Sequence, residues 1–385
     1  MQKRLFGQTG RQLSILGFGC MRLPLLKADD PTSIDYDLAT AMLRLAIDQG
    51  VNYVDTAWPY HSNSRTEPGQ SEIFVGRALK DGYREKVSLA TKLPSWLVKN
   101  RRDMDKFLDA QLKRLDTPYL DFYLAHNLNS LVWPGIKDLG LFDFLEAALK
   151  DGRIKNAGFS FHDRYSIFED VIQSYDWSFC QIQYNYLDVN YQAGQKGLKL
   201  AADRGLGVVI MEPLRGGFLT NHMPEELRQM LAEVRPEWSL ADWGLRWLWN
   251  QPEVRVVLSG MTAREQVEEN LKIAQAAGII DEKEQEALER VRVFFRDRLK
   301  VNCTSCGYCL PCPEGVNIPK NFSFYNDYFL VDSDQVRARA KFYFNGQVAP
   351  HETFVHCAHC RQCEEKCPQN LPISDFLEDM AKAFG

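Results

Sequence analysis

Eight of the ten cysteines in this sequence of 385 residues stand in two short runs near its C-terminal end. The runs are Cys303, Cys306, Cys309 and Cys312 before Pro313, then Cys357, Cys360, Cys363 and Cys367 before Pro368. The second run has the spacing C-x2-C-x2-C-x3-C-P, in which three thiolates bind one iron–sulfur cubane and the fourth binds a neighbouring cluster. Two such runs predict two 4Fe–4S clusters.

The first run is one residue shorter before its last cysteine, so its crossed ligation is assigned by analogy with the second. One cluster would bind Cys303, Cys306, Cys309 and Cys367, and the other would bind Cys357, Cys360, Cys363 and Cys312. The alternative is a pair of four-thiolate zinc sites, because CxxC pairs also suit tetrahedral zinc. Zinc needs only two pairs of thiolates, whereas each run has three at x2 intervals and a fourth before proline, so the spacing favours iron.

The overall composition limits which cellular compartment and which binding partners we expect. A disulfide framework is not expected, because the chain is long and opens with Met1-Gln-Lys-Arg-Leu-Phe-Gly7, without a charged and then apolar leader. We therefore expect a reducing cytoplasm. The net charge of −5 does not attract nucleic acid, and no run of about eighteen apolar residues predicts a membrane-spanning helix. We expect neither partner.

From residue 15 to about 275, short apolar runs alternate with amphipathic stretches of helical length. The predicted strands are 15–19, 52–56, 87–91, 120–124, 154–160, 179–183, 207–211 and 254–258, and the predicted helices are 36–49, 71–80, 101–115, 139–150, 163–174, 190–204, 239–250 and 263–276. Repeated strand–helix units form parallel sheets, and a closed barrel takes about 200 to 250 residues. The fold class is therefore α/β, a (β/α)8 TIM barrel followed by a smaller domain.

Three local patterns refine this organisation. Residues 3–6 and 12–15 flank Thr9-Gly10 and predict a hairpin that plugs the N-terminal end of the barrel. Ser239, and Thr262 with Glu265, are predicted helix caps. Apolar residues recur at helical spacing in 281–300, namely Leu288, Val291, Phe295 and Leu299. We predict a barrel over 1–280, a connecting helix over 281–300, and a mainly helical ferredoxin-like domain over 301–385.

Proton-handling side chains follow the predicted strands at the face where barrel active sites lie. Asp55, Lys92 and His126 stand at strand ends, and Tyr60 lies in the loop after the second strand. An ammonium favours a nearby phenolate, so we predict that Lys92 lowers the pKa of Tyr60. Asp55 would keep Lys92 charged, and His126 would hydrogen-bond a carbonyl oxygen held against Tyr60. This set predicts protonation of a carbonyl as it accepts a hydride.

Several short motifs extend this pattern along the barrel. They are Val54-Asp55-Thr56-Ala57-x-x-Tyr60, Ala90-Thr91-Lys92, Leu124-Ala125-His126, Gly158-Phe159-Ser160, Gln181-Ile182-Gln183-Tyr184-Asn185, Glu212-Pro213-Leu214 and Glu268-Glu269-Asn270. With them the sequence resembles the aldo-keto reductase family, and its tail resembles the branch that carries a C-terminal ferredoxin-type domain. The resemblance implies that Asp55, Tyr60, Lys92 and His126 form the catalytic tetrad.

The same resemblance implies a nicotinamide cofactor at the barrel mouth. Ser160 and Gln181 would contact its carboxamide, Met211 its ring, the backbone at Pro213 and Leu214 its pyrophosphate, and Ser259, Gly260, Arg264, Glu269 and Asn270 its adenosine half. Two positions depart from the family pattern, because Phe161 replaces an asparagine and Met211 an aromatic residue. Thr262 and Gln266 occupy the usual 2′-phosphate positions, so Arg264 is the nearest cation and favours NADP over NAD only slightly.

The predicted substrate is a small-molecule carbonyl, and the purpose of the clusters stays open between three interpretations. They are structural staples, a relay to an external ferredoxin-like carrier, or partners of a bound flavin. Crossed ligation brings the clusters close together, which favours the relay. A different class, an electron-transfer or regulatory subunit with a catalytically idle barrel, is disfavoured by the four tetrad residues. Pocket-wall candidates are Trp58, His61, Trp96, Asn127, Trp133, Phe218 and Leu219, while Cys20 and Cys180 are expected to be buried without a redox role.

Overall fold

A computed structural model describes residues 1–221, 223–330 and 334–384. Their packing divides the chain into two compact units. The barrel unit contains Met1–Pro213 and Leu245–Ile279, and the C-terminal unit contains Leu214–Gly244 together with the chain from Ile280 onward. Among the described residues, no helix combines the length and the apolar character needed to cross a membrane.

The predicted (β/α)8 barrel is confirmed. After a hairpin of β1 (Lys3–Leu5) and β2 (Gln12–Ser14), the barrel strands are β3 (Leu16–Gly19), β4 (Tyr53–Asp55), β5 (Ser88–Leu93), β6 (Phe122–Leu128), β7 (Ala157–Phe161), β8 (Phe179–Gln183), β9 (Gly207–Met211) and β10 (Val256–Gly260). They pair in parallel in chain order, and β10 closes the barrel by pairing with both β9 and β3. Among the strands that begin later than predicted are β6 and β7, because Leu120 and Ile154 form only an isolated bridge ahead of them.

The described helices fall into the two units, with α10 crossing the boundary between them. In chain order they are α1 (Tyr36–Asp48), α2 (Ser71–Ala78), α3 (Arg101–Arg114), α4 (Trp133–Asp138), α5 (Leu141–Lys150), α6 (Tyr165–Gln173), α7 (Gly194–Asp203), α8 (Phe218–Asn221), α9 (Glu225–Val234), α10 (Leu240–Trp249), α11 (Arg264–Gln275), α12 (Glu282–Arg298), α13 (Ile318–Leu330), α14 (Asp334–Gln347), α15 (Gln362–Glu365) and α16 (Ile373–Phe384). All eight predicted barrel helices are present, and α4, α8 and α9 were not predicted.

The N-terminal hairpin plugs the barrel as predicted. The Phe6 ring lies 5.1 Å from the Phe122 ring and 5.8 Å from the Phe179 ring, between ring centroids. Both partners are the first residues of their strands, so the plug fills the N-terminal end and leaves the other end for chemistry. Gly7 makes this approach feasible, because a Cβ atom there would stand 2.4 Å from the backbone nitrogen of Gly207.

The two predicted helix caps have different outcomes. Ser239 caps α10, since its hydroxyl accepts from the backbone N–H of Asp242 at 3.2 Å and the Asp242 carboxylate accepts from the backbone N–H of Ser239 at 3.1 Å. The predicted capping box at Thr262 is wrong. Its backbone N–H donates to the side-chain oxygen of Gln266 at 2.8 Å instead, and α11 begins at Arg264.

The C-terminal unit is mainly helical, as predicted. The connecting helix α12 begins with a capping box of Asp281 and Glu284, and it buries Leu288, Val291 and Phe295. Helix α9 contacts α12, and Arg235 after α9 pairs with both acidic caps. The segment that follows β9 therefore belongs structurally with the C-terminal helices, which the predicted domain division did not anticipate. A separate apolar core joins α13, α14 and α16, including Phe322, Phe344, Leu377 and Met380.

Candidate active site and cluster sites

A buried ammonium stands at the centre of the proposed tetrad. Lys92, near the end of β5, is fully buried and donates to Asp55 Oδ1 at 2.5 Å, to the Thr56 carbonyl at 2.8 Å and to the Tyr60 hydroxyl at 3.2 Å. Asp55 ends the neighbouring strand β4 and is 2% exposed. Burial raises the pKa of Asp55, and the charge of Lys92 opposes that shift. The structure therefore brings three of the four predicted residues into one hydrogen-bonded group.

Tyr60 is held by a tight loop. Its backbone N–H donates to the Ala57 carbonyl at 3.1 Å, and its carbonyl accepts from Ser71 at 3.2 Å. Gly69 packs directly on this turn, because a Cβ atom there would stand 1.9 Å from the Tyr60 carbonyl oxygen. The sequence prediction for this phenol is wrong in sign. Burial, followed by the negative charge of Asp55, holds the pKa of Tyr60 well above its usual value near 10.

His126 is placed by an irregularity in β6. The pairing of β6 with β7 shifts register between Ala125 and Leu128, and Asn127 adopts a left-handed φ of 59°. The backbone N–H of Asn127 donates to Ser160 Oγ at 2.8 Å, which fixes the bulge. The His126 ring then lies 6.2 Å from the Tyr60 ring, between centroids. Burial and then the charge of Lys92 hold the pKa of His126 well below 6.5, so the imidazole is neutral at pH 7.

The predicted pocket walls have different roles in the structure. Trp96 contacts the tetrad, with its ring 5.1 Å from the His126 ring. His61 does not act as a wall, because one ring nitrogen accepts from the Leu23 N–H at 3.0 Å and the other donates to the Pro31 carbonyl at 2.9 Å. Two of the remaining candidates anchor other segments, since Trp58 packs on Phe107 and Trp133 donates to Asp170. Asn127 forms the bulge in β6. Phe218 and Leu219 lie in α8 of the C-terminal unit. Cys20 and Cys180 are fully buried, as predicted.

Three polar residues beside the tetrad were missed by the sequence reasoning. Arg22 follows β3, and its charge lowers the pKa of Tyr60, although burial dominates. Arg65 stacks on Trp96 with its guanidinium carbon 4.4 Å from the ring centre, and its carbonyl accepts from the Trp96 indole at 3.3 Å. Burial lowers the pKa of His162 to about 3. Arg22 and His162 could have been found by the criterion that identified the tetrad, because each closely follows a barrel strand.

The residues proposed for the nicotinamide half lie on adjacent strands. Ser160 and Gln181 are register partners on β7 and β8 and are both nearly fully buried. Gln181 Oε1 has no hydrogen-bond partner among the described residues. Phe161 points the other way, with its ring 5.1 Å from the Phe168 ring of α6, so this departure from asparagine lies on the face of β7 that packs against the helices. Met211, at the end of β9, is partly exposed.

The residues proposed for the rest of the cofactor are more dispersed. Ser259 accepts from the side-chain amide of Asn270 at 3.0 Å, which ties the end of β10 to α11. Gly260 and Glu269 are exposed, and Arg264 pairs with Glu268 at 2.8 Å on the exposed face of α11. Pro213 is the last residue of the first barrel segment, and Leu214 is the first residue of the C-terminal unit.

Four cysteines of the C-terminal unit line one cavity, and three others lie near one another. One cavity is lined by Cys303, Cys306, Cys309 and Cys367, and by Thr304, Phe322 and Gln369 among other residues. This is the crossed set, in which three cysteines of the first run meet the last of the second. Cys363 in turn lies close enough to Cys312 and Cys357 for their charges to raise its pKa, although burial is the larger cause. Among the described residues, no three His, Cys, Asp or Glu side chains converge on a point that would hold a single ion.

The thiols that line this cavity are largely buried and lie close enough to affect one another. Burial raises the pKa of Cys303 to about 11, and burial followed by Cys306 and Cys303 raises the pKa of Cys309 further. Clustered thiolates repel one another unless metal cations bind them. A cavity surrounded by four sulfur atoms suits a cubane, whose four irons take one thiolate each.

The family models agree with both halves of this description. Residues 15–292 match the model of the aldo/keto reductase family, which covers more than half of the chain. The chain belongs to the aldo/keto reductase family. Residues 302–371 match the model of the 4Fe-4S dicluster domain. This aldo/keto reductase is therefore an oxidoreductase with a ferredoxin-type domain at its C-terminal end.

Several relatives match the larger part of the chain. The NADH-specific methylglyoxal reductase of Escherichia coli is 27% identical over 75% of this chain and 100% of its own. The uncharacterized oxidoreductase YqkF of Bacillus subtilis is 25% identical over 73% of this chain and 94% of its own. Among solved structures, the aldo-keto reductase AKR11C1 of Bacillus halodurans in its holo form has a TM-score of 0.62, 24% identity, and coverage of 76% of this chain and 96% of its own. The Klebsiella pneumoniae aldo-keto reductase in complex with NADPH has a TM-score of 0.60, 22% identity, and coverage of 76% and 95%.

Proposed function

We propose that this enzyme reduces the carbonyl group of a small molecule with a reduced nicotinamide cofactor, and that Tyr60 donates the proton. The observation that carries the proposal is the buried network in which Lys92 donates to both Asp55 and Tyr60. Because the Tyr60 oxygen accepts from Lys92, its own hydrogen is directed elsewhere and is available to a substrate oxygen. The phenol leaves its charge beside an ammonium when it loses the proton, which stabilises the product of that step.

The raised pKa of Tyr60 changes the mechanism but does not remove it. A phenol with a pKa well above 10 is protonated at neutral pH, so Tyr60 holds a proton to donate at the start of each turnover. The carbonyl oxygen becomes much more basic as a hydride reaches its carbon, and only then does transfer become favourable. Neutral His126 would donate a hydrogen bond to the same oxygen from its position 6.2 Å across from the Tyr60 ring.

The barrel unit offers a fit for the nicotinamide, which supplies the hydride when bound. Gln181 Oε1, buried and without a partner among the described residues, would accept from the carboxamide N–H, and Ser160 would contact the same group. Met211 would pack on the ring through its thioether. Arg264 is paired with Glu268, so a 2′-phosphate competes with a carboxylate for this guanidinium. We therefore propose that NADH and NADPH are both accepted.

We propose two 4Fe–4S clusters in the C-terminal unit. One is bound by Cys303, Cys306, Cys309 and Cys367, and the other by Cys312, Cys357, Cys360 and Cys363. The four cysteines that line one cavity support the first set, and the effect of Cys312 and Cys357 on Cys363 supports the second.

The test of this crossed ligation is an iron and sulfide count with EPR spectra on anaerobically purified single variants. Cys303→Ser and Cys367→Ser should perturb one cluster signal, and Cys312→Ser and Cys363→Ser the other. If instead each run behaves as its own group, the crossed assignment is wrong. A colourless protein that contains zinc would overturn the clusters altogether.

A second candidate function, electron transfer between the clusters and an external carrier or a flavin, is supported by the exposure of Cys360. This proposed ligand lies at the surface of the C-terminal unit, five residues after Val355, which is 67% exposed. A one-electron carrier such as a ferredoxin requires an accessible cluster edge, and a bound flavin would allow one-electron and two-electron steps to be joined. Anaerobic reduction of substrate by a reduced ferredoxin without nicotinamide, together with a flavin count, separates this function from simple carbonyl reduction.

The direct test of the proposed function is anaerobic turnover of NADH and NADPH with a panel of aldehydes and ketones. Tyr60→Phe should lower kcat by about 10²- to 10⁴-fold, the usual contribution of a positioned acid. Tyr123→Phe is the matched control, because it removes a buried barrel hydroxyl that donates to Gln111 at 2.8 Å, outside the proposed site. Unchanged turnover in Tyr60→Phe would refute the donor assignment.

A further inference from the structure

One buried cation lies beside the first cysteine run. Arg215 follows β9 in the chain and belongs to the C-terminal unit, where it is 1% exposed. Its Nη2 donates to Asn302 Oδ1 at 2.6 Å, and Asn302 directly precedes Cys303. Its guanidinium carbon also lies 5.3 Å from the centre of the Phe218 ring. These contacts fix the position of the charge within a sparsely hydrated part of the unit.

The backbone around this arginine is held in an uncommon conformation. Arg215, Gly216 and Gly217 have φ values of 50°, 66° and 91°, three consecutive residues in the left-handed region. A non-glycine residue in that region is strained and persists where its surroundings fix it. Phe218 continues the anchoring, with its ring 5.5 Å from the Phe295 ring of α12. The loop is therefore built to hold this guanidinium against the segment that carries Cys303.

The charge of Arg215 acts on the first cysteine group. The guanidinium is hydrogen-bonded to the side chain of Asn302, the residue directly before Cys303, so its charge lies next to the first ligand of this group. The second group has the opposite neighbour. Glu364 directly follows Cys363 in the chain, and its carboxylate accepts from the backbone N–H of Ser374 at 2.9 Å and pairs with Arg361 at 3.4 Å. One proposed cluster site thus has a buried cation beside it, and the other has a carboxylate that pairs with an exposed arginine.

We propose that Arg215 raises the reduction potential of the cluster bound by Cys303, Cys306, Cys309 and Cys367 above that of the cluster bound by Cys312, Cys357, Cys360 and Cys363. Reduction adds one negative charge to a cubane, so a nearby cation stabilises the reduced form more than the oxidised form. Net charge and hydrogen bonding around the cluster are among the factors that set such potentials. Low polarity around the guanidinium strengthens the effect. The proposal rests on the two clusters of the proposed function and goes beyond it by ordering them.

The test is an EPR-monitored redox titration of the anaerobic holoprotein. The wild type should show two separate potentials. Arg215→Met should lower the higher one by at least about 59 mV, a tenfold change in a one-electron equilibrium, and leave the lower one in place. Arg215→Lys keeps the charge and should retain most of the separation. Arg228→Met is the matched control, because Arg228 lies in the same segment but donates to the carbonyls of Thr220 and Met223.

Two isosteric substitutions keep the test valid if Arg215→Met loses a cluster. Asn302→Asp places a carboxylate against the guanidinium and should lower the same potential, and Glu364→Gln should raise the other. Equal shifts in Arg215→Met and Arg215→Lys would overturn the proposal, because packing rather than charge would then be responsible. An unchanged pair of potentials in Asn302→Asp and Arg215→Met would overturn it as well. Wild-type protein without eight irons would instead overturn the cluster assignment itself.

Discussion

Replacing Lys92 with methionine tests the central network of the barrel. The substitution removes an ammonium that is fully buried and keeps a side chain of similar length. Asp55 then loses the hydrogen bond that its Oδ1 accepts at 2.5 Å, while its Oδ2 has no partner among the described residues. A carboxylate at 2% exposure without its counter-charge is strongly destabilising, so we expect Asp55 to take up a proton.

That proton uptake sets the size of the effect. Protonating at pH 7 a carboxyl group with an ordinary pKa of 3.8 costs 1.36 kcal/mol for each pH unit, which is about 4 kcal/mol. The value agrees with the range of about 3 to 5 kcal/mol for removing one partner of a buried ion pair. The cost should fall as the pH falls, to about 1.6 kcal/mol at pH 5. The double variant Asp55→Asn/Lys92→Met buries no charge, so most of the loss should be recovered.

The assay is urea unfolding of anaerobic protein at pH 7 and pH 5, with turnover measured on the same samples. Stability should return in the double variant, but activity should not, because neither variant has an ammonium beside Tyr60. We expect both to lose about 10²- to 10⁴-fold in kcat. A Lys92→Met protein as stable as the wild type, or one whose loss does not depend on pH, would refute the electrostatic reasoning.

Three further outcomes follow from the barrel unit. Burial lowers the pKa of His126 and of His162, so below pH 6.5 the unfolded chain binds protons that the folded chain does not. The free energy of unfolding should therefore fall by about 1.5 kcal/mol per histidine between pH 6.5 and pH 5. In urea titrations, His162→Gln should remove the part of this pH dependence that is due to His162. Glu268→Gln frees Arg264 and should raise kcat/KM for NADPH about tenfold relative to NADH, whereas an unchanged ratio would place the 2′-phosphate elsewhere. Gly69→Ala forces a backbone shift in the loop of the proton donor and should cost about 3 kcal/mol of stability with loss of turnover; a fully active variant would show that this close approach is not required.

The barrel could be predicted because its signal is periodic and repeated. Apolar runs with β-branched residues recur between amphipathic stretches, and the plug could be placed because two short strands flank a turn at Thr9-Gly10. Helix α9 was missed although Pro224 precedes it and Glu225 and Glu226 occupy its first turn. Its partner could not be inferred at all, since an amphipathic pattern shows that a face is buried but not against what.

The candidate site also has features that the sequence predicts and features that it does not. The positions of Asp55, Lys92 and His126 follow from where strands end, which the apolar pattern specifies to within a few residues. The pKa of Tyr60 cannot be predicted in this way, because it depends on how completely the phenol is buried and on how near Asp55 lies. Both are properties of the tertiary structure. Arg215 was overlooked for a related reason. Its neighbour Asn302 is 87 residues away in the chain, and no local pattern links them.

Transfer of deuterium from the cofactor tests the central claim most directly. Wild-type enzyme would be supplied anaerobically with a carbonyl substrate and with NADH or NADPH deuterated at both C4 positions, and the alcohol product would be analysed by mass spectrometry. The proposed mechanism predicts one deuterium on the former carbonyl carbon, with the hydroxyl proton drawn from Tyr60 and solvent. A product formed without deuterium at that carbon would contradict direct hydride transfer and would favour a flavin or the clusters as the immediate reductant.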